Sequence, residues 1–169
     1  MNKIKKRNIR VVIGTVFALP ILIFATNLIV GNYINLSVIS PSMVPTLNVG
    51  DRIIATKKKS KEDLSYHVVI FNRPDTENRI VKRAIAVGPS TVEIKNRQVY
   101  INGKREKYTF TEFGLPNRTY DVPKNKVFLM GDNRNESYDS TDYGPIDINV
   151  ITHVARFKYW PLSQINFVR

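Results

Sequence analysis

An uncharged apolar run near the start of the chain limits what the rest of the protein can be. Residues 11–31 read VVIGTVFALPILIFATNLIVG and contain no acidic or basic side chain. A helix needs about 20 such residues to cross the hydrocarbon core of a bilayer, and a proline such as Pro20 is tolerated there. A cleavable signal peptide would have an apolar core of about 7–15 residues and a small-x-small site after it. The longer run, without such a site, predicts an uncleaved transmembrane anchor.

The charges around this run predict its orientation. The first ten residues contain five basic side chains and no acidic one, and basic flanks stay on the cytoplasmic side of a membrane. We therefore predict a cytoplasmic tail at residues 1–10, a single-pass anchor at 11–31 and an extracytoplasmic domain at 32–169. The net charge of +12 could also suit nucleic acid, but the basic residues form no recognisable binding module. The predicted partner is the phospholipid membrane and not nucleic acid.

Residues 32–169 have the pattern of a mainly β domain. Short runs rich in Val, Ile, Tyr and Phe alternate with clusters of Asn, Gly, Pro and Lys, which is typical of strands and turns. Asn96-Arg97 and Asn102-Gly103 are turn signals, so residues 91–108 are predicted to form a meander. The chain has no cysteine, which excludes a disulfide framework and a cysteine nucleophile. Strands are predicted at 34–39, 52–56, 67–71, 79–86, 91–94, 98–101, 126–130 and 150–160.

Residues 40–47, SPSMVPTL, contain the first group that could carry chemistry. Two prolines flank Ser42 and restrict the backbone around it, which holds its hydroxyl in a stiff turn. A nucleophile benefits from such placement, because fixed positions remove part of the entropic cost of reaction. A proline-rich strand exit with a solvated serine explains the octapeptide equally well.

Residues 79–87, RIVKRAIAV, contain the second group. In a strand, Lys82 shares one face with Ile80 and Ala84, while Arg83 lies on the other face. Apolar neighbours disfavour the ammonium form, which lowers the pKa of a buried lysine and allows its neutral amine to act as a base towards a serine. The alternative is an edge-strand lysine that reaches water, and the spacing does not decide between the two.

Residues 131–145, GDNRNESYDSTDYGP, form the third candidate segment. This loop follows an apolar strand and could orient a lysine through its hydroxyls and join strands through Asp–Arg pairs. A surface turn is one alternative. A calcium site is another, because Asp132, Asn133, Asp139 and Asp142 carry oxygen donors, but their spacing is not that of an EF-hand. The prediction is no metal and no cofactor.

Together, the segments resemble the bacterial type I signal peptidases, the serine–lysine dyad family of leader peptidases. The matching features occur in the family's order: anchor, SPSMVPTL, GDRI at 50–53, VKRAIAVG at 81–88, the glycine-aspartate-asparagine-arginine loop and ARFKYWPL at 155–162. The resemblance implies a catalytic domain of coiled antiparallel β-sheet. It also implies a membrane-bound serine endopeptidase that removes signal peptides from exported preproteins, with the translocation machinery as a possible partner.

The same resemblance implies a role for each matching residue. Ser42 corresponds to the nucleophile and Lys82 to the general base. The Ser40 hydroxyl and the Ser42 backbone N–H correspond to the oxyanion hole, and Ser137 to the hydroxyl that orients the lysine. The supporting positions are Asp132, Arg134, Asp139 and Arg83. Apolar residues that flank the dyad are expected to select small side chains one and three positions before the cut: Val38, Met43, Leu47, Ile80 and Val81.

The chain departs from the family's usual pattern at several positions. Thr141 replaces a usual arginine, so that a supporting Asp–Arg pair is either lost or supplied by another arginine. Ser90 lies where a glycine-rich turn with an aspartate is usual, and Tyr66-His67 replaces a common Gly-Asp. Two alternatives remain: a self-cleaving repressor-type protease, which would have a DNA-binding domain upstream, and a membrane-anchored homologue that binds precursors or partner peptidases without cutting.

Overall fold

Two antiparallel sheets organise the part of the chain that the computed structural model describes, which is residues 31–60, 63–72, 78–108 and 114–168. The predicted tail and nearly all of the predicted anchor lie outside these residues, so the division at residue 31 stays a prediction. Within the described ranges, no helix has the length and apolar character needed to cross a membrane. The mainly β fold predicted from the sequence is confirmed.

The larger sheet has eight strands in the order β1-β2-β11-β3-β4-β9-β10, with β12 paired to β11. The pairings from β2 onward are antiparallel. Its strands are β1 Tyr33–Ser37, β2 Arg52–Lys57, β3 Val68–Asn72, β4 Arg79–Val87, β9 Lys126–Met130, β10 Ile146–Asp147, β11 Ile151–Trp160 and β12 Asn166–Phe167.

The smaller sheet has four strands in the order β7-β6-β5-β8. Asn96 and Arg97 have φ values of 51° and 57°, and Asn102 and Gly103 have values of 49° and 78°. Such positive φ pairs fit the two-residue turns of hairpins, and the predicted meander is present as β5-β6-β7. The strands are β5 Ser90–Lys95, β6 Gln98–Ile101, β7 Lys104–Arg105 and β8 Arg118–Val122.

Each of the predicted strands is present, with ends within two residues of the prediction. The sequence reading missed the two-residue strands β7, β10 and β12, which are too short to show alternation. It also missed β8, whose RTYDV sequence mixes charged and apolar residues. Three 3-10 turns, Pro41–Met43, Ile148–Val150 and Leu162–Gln164, and a short helix, Ser140–Tyr143, complete the described elements.

The centre of the larger sheet is buried on both of its faces. Val68 and Ile70 of β3 pack in one apolar cluster, and Val69 and Phe71 pack in a second one, as the period of two in a strand requires. All four are at most 1% exposed, and burying each such side chain contributes about 1.5–3 kcal/mol. The first cluster also contains Leu47. The segment that follows β1 is therefore anchored against this face of the sheet.

Candidate active site

The serine segment forms a 3-10 turn over Pro41–Met43. Ser40 caps its N-terminus and Pro41 occupies the first turn, where the missing N–H of a proline costs nothing. The Ser42 backbone N–H donates to Ser40 Oγ over 3.3 Å. Ser42 itself is only 7% exposed. The turn thus holds the Ser42 backbone in place and leaves the residue largely buried.

Lys82 lies on β4 and is 4% exposed. Its Nζ donates to Ser137 Oγ over 2.9 Å. Burial disfavours the ammonium and lowers the pKa of Lys82 from the ordinary value of 10.5, while the carboxylates of Asp139, Asp132 and Asp142 act in the opposite direction. The sequence also allowed an edge-strand lysine that reaches water, but the Lys82 side chain is buried and not in open solvent.

The Asp139 carboxylate organises the end of the loop. Its Oδ2 accepts hydrogen bonds from Ser137 Oγ at 2.6 Å and from the Gly131 N–H at 2.8 Å. Its Oδ1 accepts from the N–H and the hydroxyl of Thr141, at 3.0 and 2.9 Å. Asp139 also caps the Ser140–Tyr143 helix in a capping box with Asp142. The partner of Asp139 at position 141 is therefore a hydroxyl and not a guanidinium.

Gly131 lies where the loop and the serine segment meet. A Cβ at this position would lie 2.5 Å from the Ser42 carbonyl oxygen and 2.5 Å from Ser137 Cβ. Such distances are far below van der Waals contact, so the close approach requires glycine. Two residues on, the Asn133 N–H donates to the Ser42 carbonyl over 3.0 Å. The loop thus sets the position of both serines.

A buried ion pair joins this loop to β4 and to the serine segment. Arg83 contacts Asp132 through two hydrogen bonds, Nε–Oδ1 at 2.8 Å and Nη2–Oδ2 at 2.7 Å, and both side chains are 0% exposed. Thr46 Oγ1 donates to Asp132 and accepts from Arg83 Nη2 at 3.2 Å. The Asp–Arg pair of the loop is therefore Asp132 with Arg83, the residue that follows Lys82.

Arg134 anchors the loop on its other side. Its Nη2 lies 3.2 Å from Glu106 Oε2, with both side chains 0% exposed, and its Nε donates to the Gly131 carbonyl over 3.0 Å. Glu106 follows β7 of the smaller sheet. A bidentate pair and this second ion pair thus hold the loop against both sheets.

A surface cavity of about 430 Å³ contains Ser40, Ser42 and Lys82 in its lining. Four of the predicted pocket residues also line it: Val38, Met43, Ile80 and Val81. Leu47 does not. It is 0% exposed and packs in the core beneath the serine segment, because it lies past the turn, where the chain re-enters the sheet. Leu47 is therefore a core residue and not a pocket residue.

The cavity lining includes residues that the sequence reading missed. Tyr138 and Tyr143 belong to the loop and its helix, and their rings meet edge to face with centroids 5.5 Å apart. Glu136 is the third lining residue from this region. The sequence signal that could have indicated these three residues is their position within the 131–145 loop. The remaining additions come from the end of β1 and the residues after it, and from either side of the start of β4: Ser37, Ile39, Asn78 and Arg79.

Comparison with known proteins identifies the family. A family model described as signal peptidase, peptidase S26, matches residues 9–160. This chain belongs to that family. The resemblance to type I signal peptidases is thereby confirmed. The signal peptidase IB of Staphylococcus aureus is 30% identical to the chain over 96% of it and 95% of the relative. The probable signal peptidase I-1 of Synechocystis is 36% identical over 74% of the chain and 70% of the relative.

The chain spans less than half of two other relatives. The thylakoidal processing peptidase 1 of Arabidopsis thaliana is 32% identical over 77% of this chain, which spans 43% of that relative. The chain spans 39% of the probable thylakoidal processing peptidase 2. Among solved structures, a signal peptidase I from Enterococcus faecalis is 25% identical, with a TM-score of 0.49 over 57% of the chain and 98% of that structure.

Proposed function

We propose that this signal peptidase family member is a membrane-bound serine endopeptidase that removes N-terminal signal peptides with a Ser42–Lys82 dyad. The observation that carries the proposal is a lysine residue, 4% exposed, that lines the same cavity as Ser42. Burial lowers the pKa of Lys82, and a neutral amine can remove the proton of a serine hydroxyl. In the resting structure Lys82 Nζ donates a hydrogen bond to Ser137, and the proposed dyad requires its lone pair to face Ser42 Oγ when substrate is bound.

The reaction would proceed in two steps. Ser42 Oγ bonds to the scissile carbonyl carbon while its proton passes to Lys82 Nζ. The resulting ammonium gives this proton to the leaving amine as the C–N bond breaks. Lys82 then takes a proton from a water whose oxygen bonds to the acyl carbon, and it returns this proton to Ser42 Oγ as the ester C–O bond breaks. Each step requires the amine to be neutral at its start.

The Ser40 hydroxyl and the Ser42 N–H would stabilise the oxyanion. In the resting structure the Ser42 N–H donates to the Ser40 hydroxyl oxygen over 3.3 Å, which is long for a hydrogen bond. A bound substrate can break this weak contact, and both groups can then donate to the oxyanion. Removing one oxyanion donor costs about 3–4 kcal/mol in other serine proteases. We assign this role to the Ser40 hydroxyl after it rotates towards the substrate.

Ser137 would orient the base through the direction of its hydrogen bonds. An ionised carboxylate only accepts, so the Ser137 proton is committed to Asp139, over 2.6 Å. Ser137 Oγ can then only accept from Lys82, at 2.9 Å. The lone pair of the neutral amine is consequently left for Ser42.

The substrate would lie in extended form along the cavity. The apolar lining, Val38, Met43, Ile80 and Val81, suits small side chains one and three positions before the cut. Backbone pairing with an exposed strand segment would supply affinity, and the shallow pockets would supply specificity. The proposed substrates are therefore signal peptides of secretory preproteins with small residues at these positions.

The proposed location follows from the uncharged run at residues 11–31 and the basic tail before it. These features favour a single-pass protein of the cell membrane with the catalytic domain outside the cytoplasm, beside the translocation machinery. Because the chain has no cysteine, an impermeant maleimide can map the topology in intact cells. Ser60→Cys should be labelled and Asn2→Cys should not. The opposite labelling pattern would contradict the proposed orientation.

Cleavage of a purified precursor tests the catalytic proposal. The full chain in detergent is incubated with a preprotein that has a small-x-small site. We expect cleavage by the parent and no detectable product from Ser42→Ala or Lys82→Met. Matched substitutions at exposed positions, Ser163→Ala and Lys95→Met, should leave the rate unchanged. If the parent binds the precursor without cutting it, the non-cleaving homologue is correct; equal cleavage by Lys82→Met removes the proposed base.

A further inference from the structure

Thr141 supplies two of the hydrogen bonds that the Asp139 carboxylate accepts. Its N–H and hydroxyl both contact Oδ1, at 3.0 and 2.9 Å, while Ser137 and Gly131 contact Oδ2. An ionised carboxylate has about four acceptor sites, so this group is fully satisfied. Of the two Thr141 donors, the hydroxyl is the one that a side-chain substitution can remove.

The position of these donors fixes the rotation of the carboxyl group. Oδ1 is held at the start of the Ser140–Tyr143 helix and Oδ2 faces the loop. We propose, on the basis of the function proposed above, that Thr141 is a positioning residue for the general base. It holds Asp139 so that Ser137 donates to the carboxylate and can only accept from Lys82. Thr141 touches neither Ser42 nor the proposed substrate cavity and acts through Asp139 and Ser137.

The donors to Asp139 are all neutral, which has an electrostatic consequence. The carboxylate keeps its full attraction for the Lys82 ammonium, and it is the largest of the influences that oppose the effect of burial on the pKa of Lys82. A cation at position 141 would weaken this attraction and favour the neutral amine. The other ionisable groups around Lys82, from the carboxylates near it and from the cavity lining, are Asp132, Asp142, Glu136, Arg79, Tyr138 and Tyr143.

Three substitutions at Thr141 test this role in the precursor-cleavage assay. Thr141→Val keeps the shape and removes the hydroxyl, and it should lower kcat about tenfold or more with little change in KM, the scale of one hydrogen bond to a charged group. Thr141→Ser should retain activity close to that of the parent. Thr141→Arg should move the acid limb of the kcat/KM profile to lower pH. Thr119→Val, at an exposed position of β8, is the matched control.

The outcomes separate this inference from the proposed function. It is overturned if Thr141→Val has the parent's kcat, if Thr141→Ser is as impaired as Thr141→Val, or if the acid limb of Thr141→Arg stays in place or moves to higher pH. All rates are compared at a temperature where thermal unfolding shows every variant to be folded. In each of these cases, cleavage by the parent and its loss in both Ser42→Ala and Lys82→Met would leave the Ser42–Lys82 proposal standing.

Discussion

Gly131→Ala should disable the site while leaving its chemical groups in place. The added Cβ would lie 2.5 Å from the Ser42 carbonyl oxygen and 2.5 Å from Ser137 Cβ. The van der Waals contact distance of a carbon atom is about 3.5 Å or more, so the serine segment and the loop must separate by about 1 Å. Since Ser137 holds Lys82, the same shift changes the position of the base relative to Ser42.

A misplacement of about 1 Å at reacting groups can reduce a rate about a hundredfold. We therefore expect kcat/KM for precursor cleavage to fall by about two orders of magnitude. Forcing a methyl group into a packed site typically costs about 1–3 kcal/mol of stability, so the variant should unfold at a somewhat lower temperature. The assay is precursor cleavage, monitored together with thermal unfolding by circular dichroism.

Gly114→Ala is the matched control, because a Cβ at Gly114 meets no atom within 4 Å. It should leave both the rate and the unfolding temperature unchanged. If Gly131→Ala had the parent's rate and stability, Ser42 and Ser137 would not approach Gly131 as described, and the arrangement of loop and serine segment would be wrong.

Three further predictions concern the base, the ion pair and the pocket. Burial lowers the pKa of Lys82 below 10.5 in the folded chain, so the buried ammonium destabilises the fold at low pH and this penalty disappears as the pH rises from the folded pKa to 10.5. Lys82→Met should therefore raise the free energy of unfolding at neutral pH, by about 1.4 kcal/mol for each pH unit between the folded pKa of Lys82 and 10.5, with no gain above pH 10.5. Chemical denaturation across this pH range checks the prediction. A gain in stability that stays constant with pH would contradict it. Asp132→Ala should lower the free energy of unfolding by about 3–5 kcal/mol, because it leaves the fully buried Arg83 without its carboxylate. Asp132→Leu combined with Arg83→Met should recover most of this stability. Equal stability of Asp132→Ala and the parent would show that the ion pair does not stabilise the loop. Val81→Phe, which fills the cavity, should raise KM or abolish cleavage without a large loss of stability. Leu47→Ala in the core should instead cost about 2–5 kcal/mol of stability and change KM little. The reverse pattern would show that the substrate binds against Leu47 and not Val81.

Strand positions were predictable because alternation and residue type determine them locally. The 126–130 and 98–101 predictions coincide with β9 and β6. The four-residue helix was not predicted, although Asp139 and Asp142 have the spacing of its capping box. A single turn of helix shows no apolar periodicity, so only the cap could have indicated it. Isolated two-residue strands leave no comparable signal.

The contacts of the site depended on topology, which local patterns do not determine. Lys82 could be assigned to a strand, but its burial requires β3 and β9 as neighbours of β4. Leu47 and Val81 are both apolar residues near the dyad in sequence, yet one is in the core and the other lines the cavity. The pairing of Arg83 with Asp132 joins residues 49 positions apart, and no local pattern indicates which arginine takes this place.

The ionisation state of Lys82 tests the central claim most directly. NMR of the lysine side chain, with Lys82→Met to assign the signal, gives the pKa of Lys82 in the folded protein, and the acid limb of kcat/KM gives the pKa on which catalysis depends. The account predicts that both lie below 10.5 and coincide. A Lys82 amine that remains protonated at a pH where cleavage has reached its full rate would contradict it.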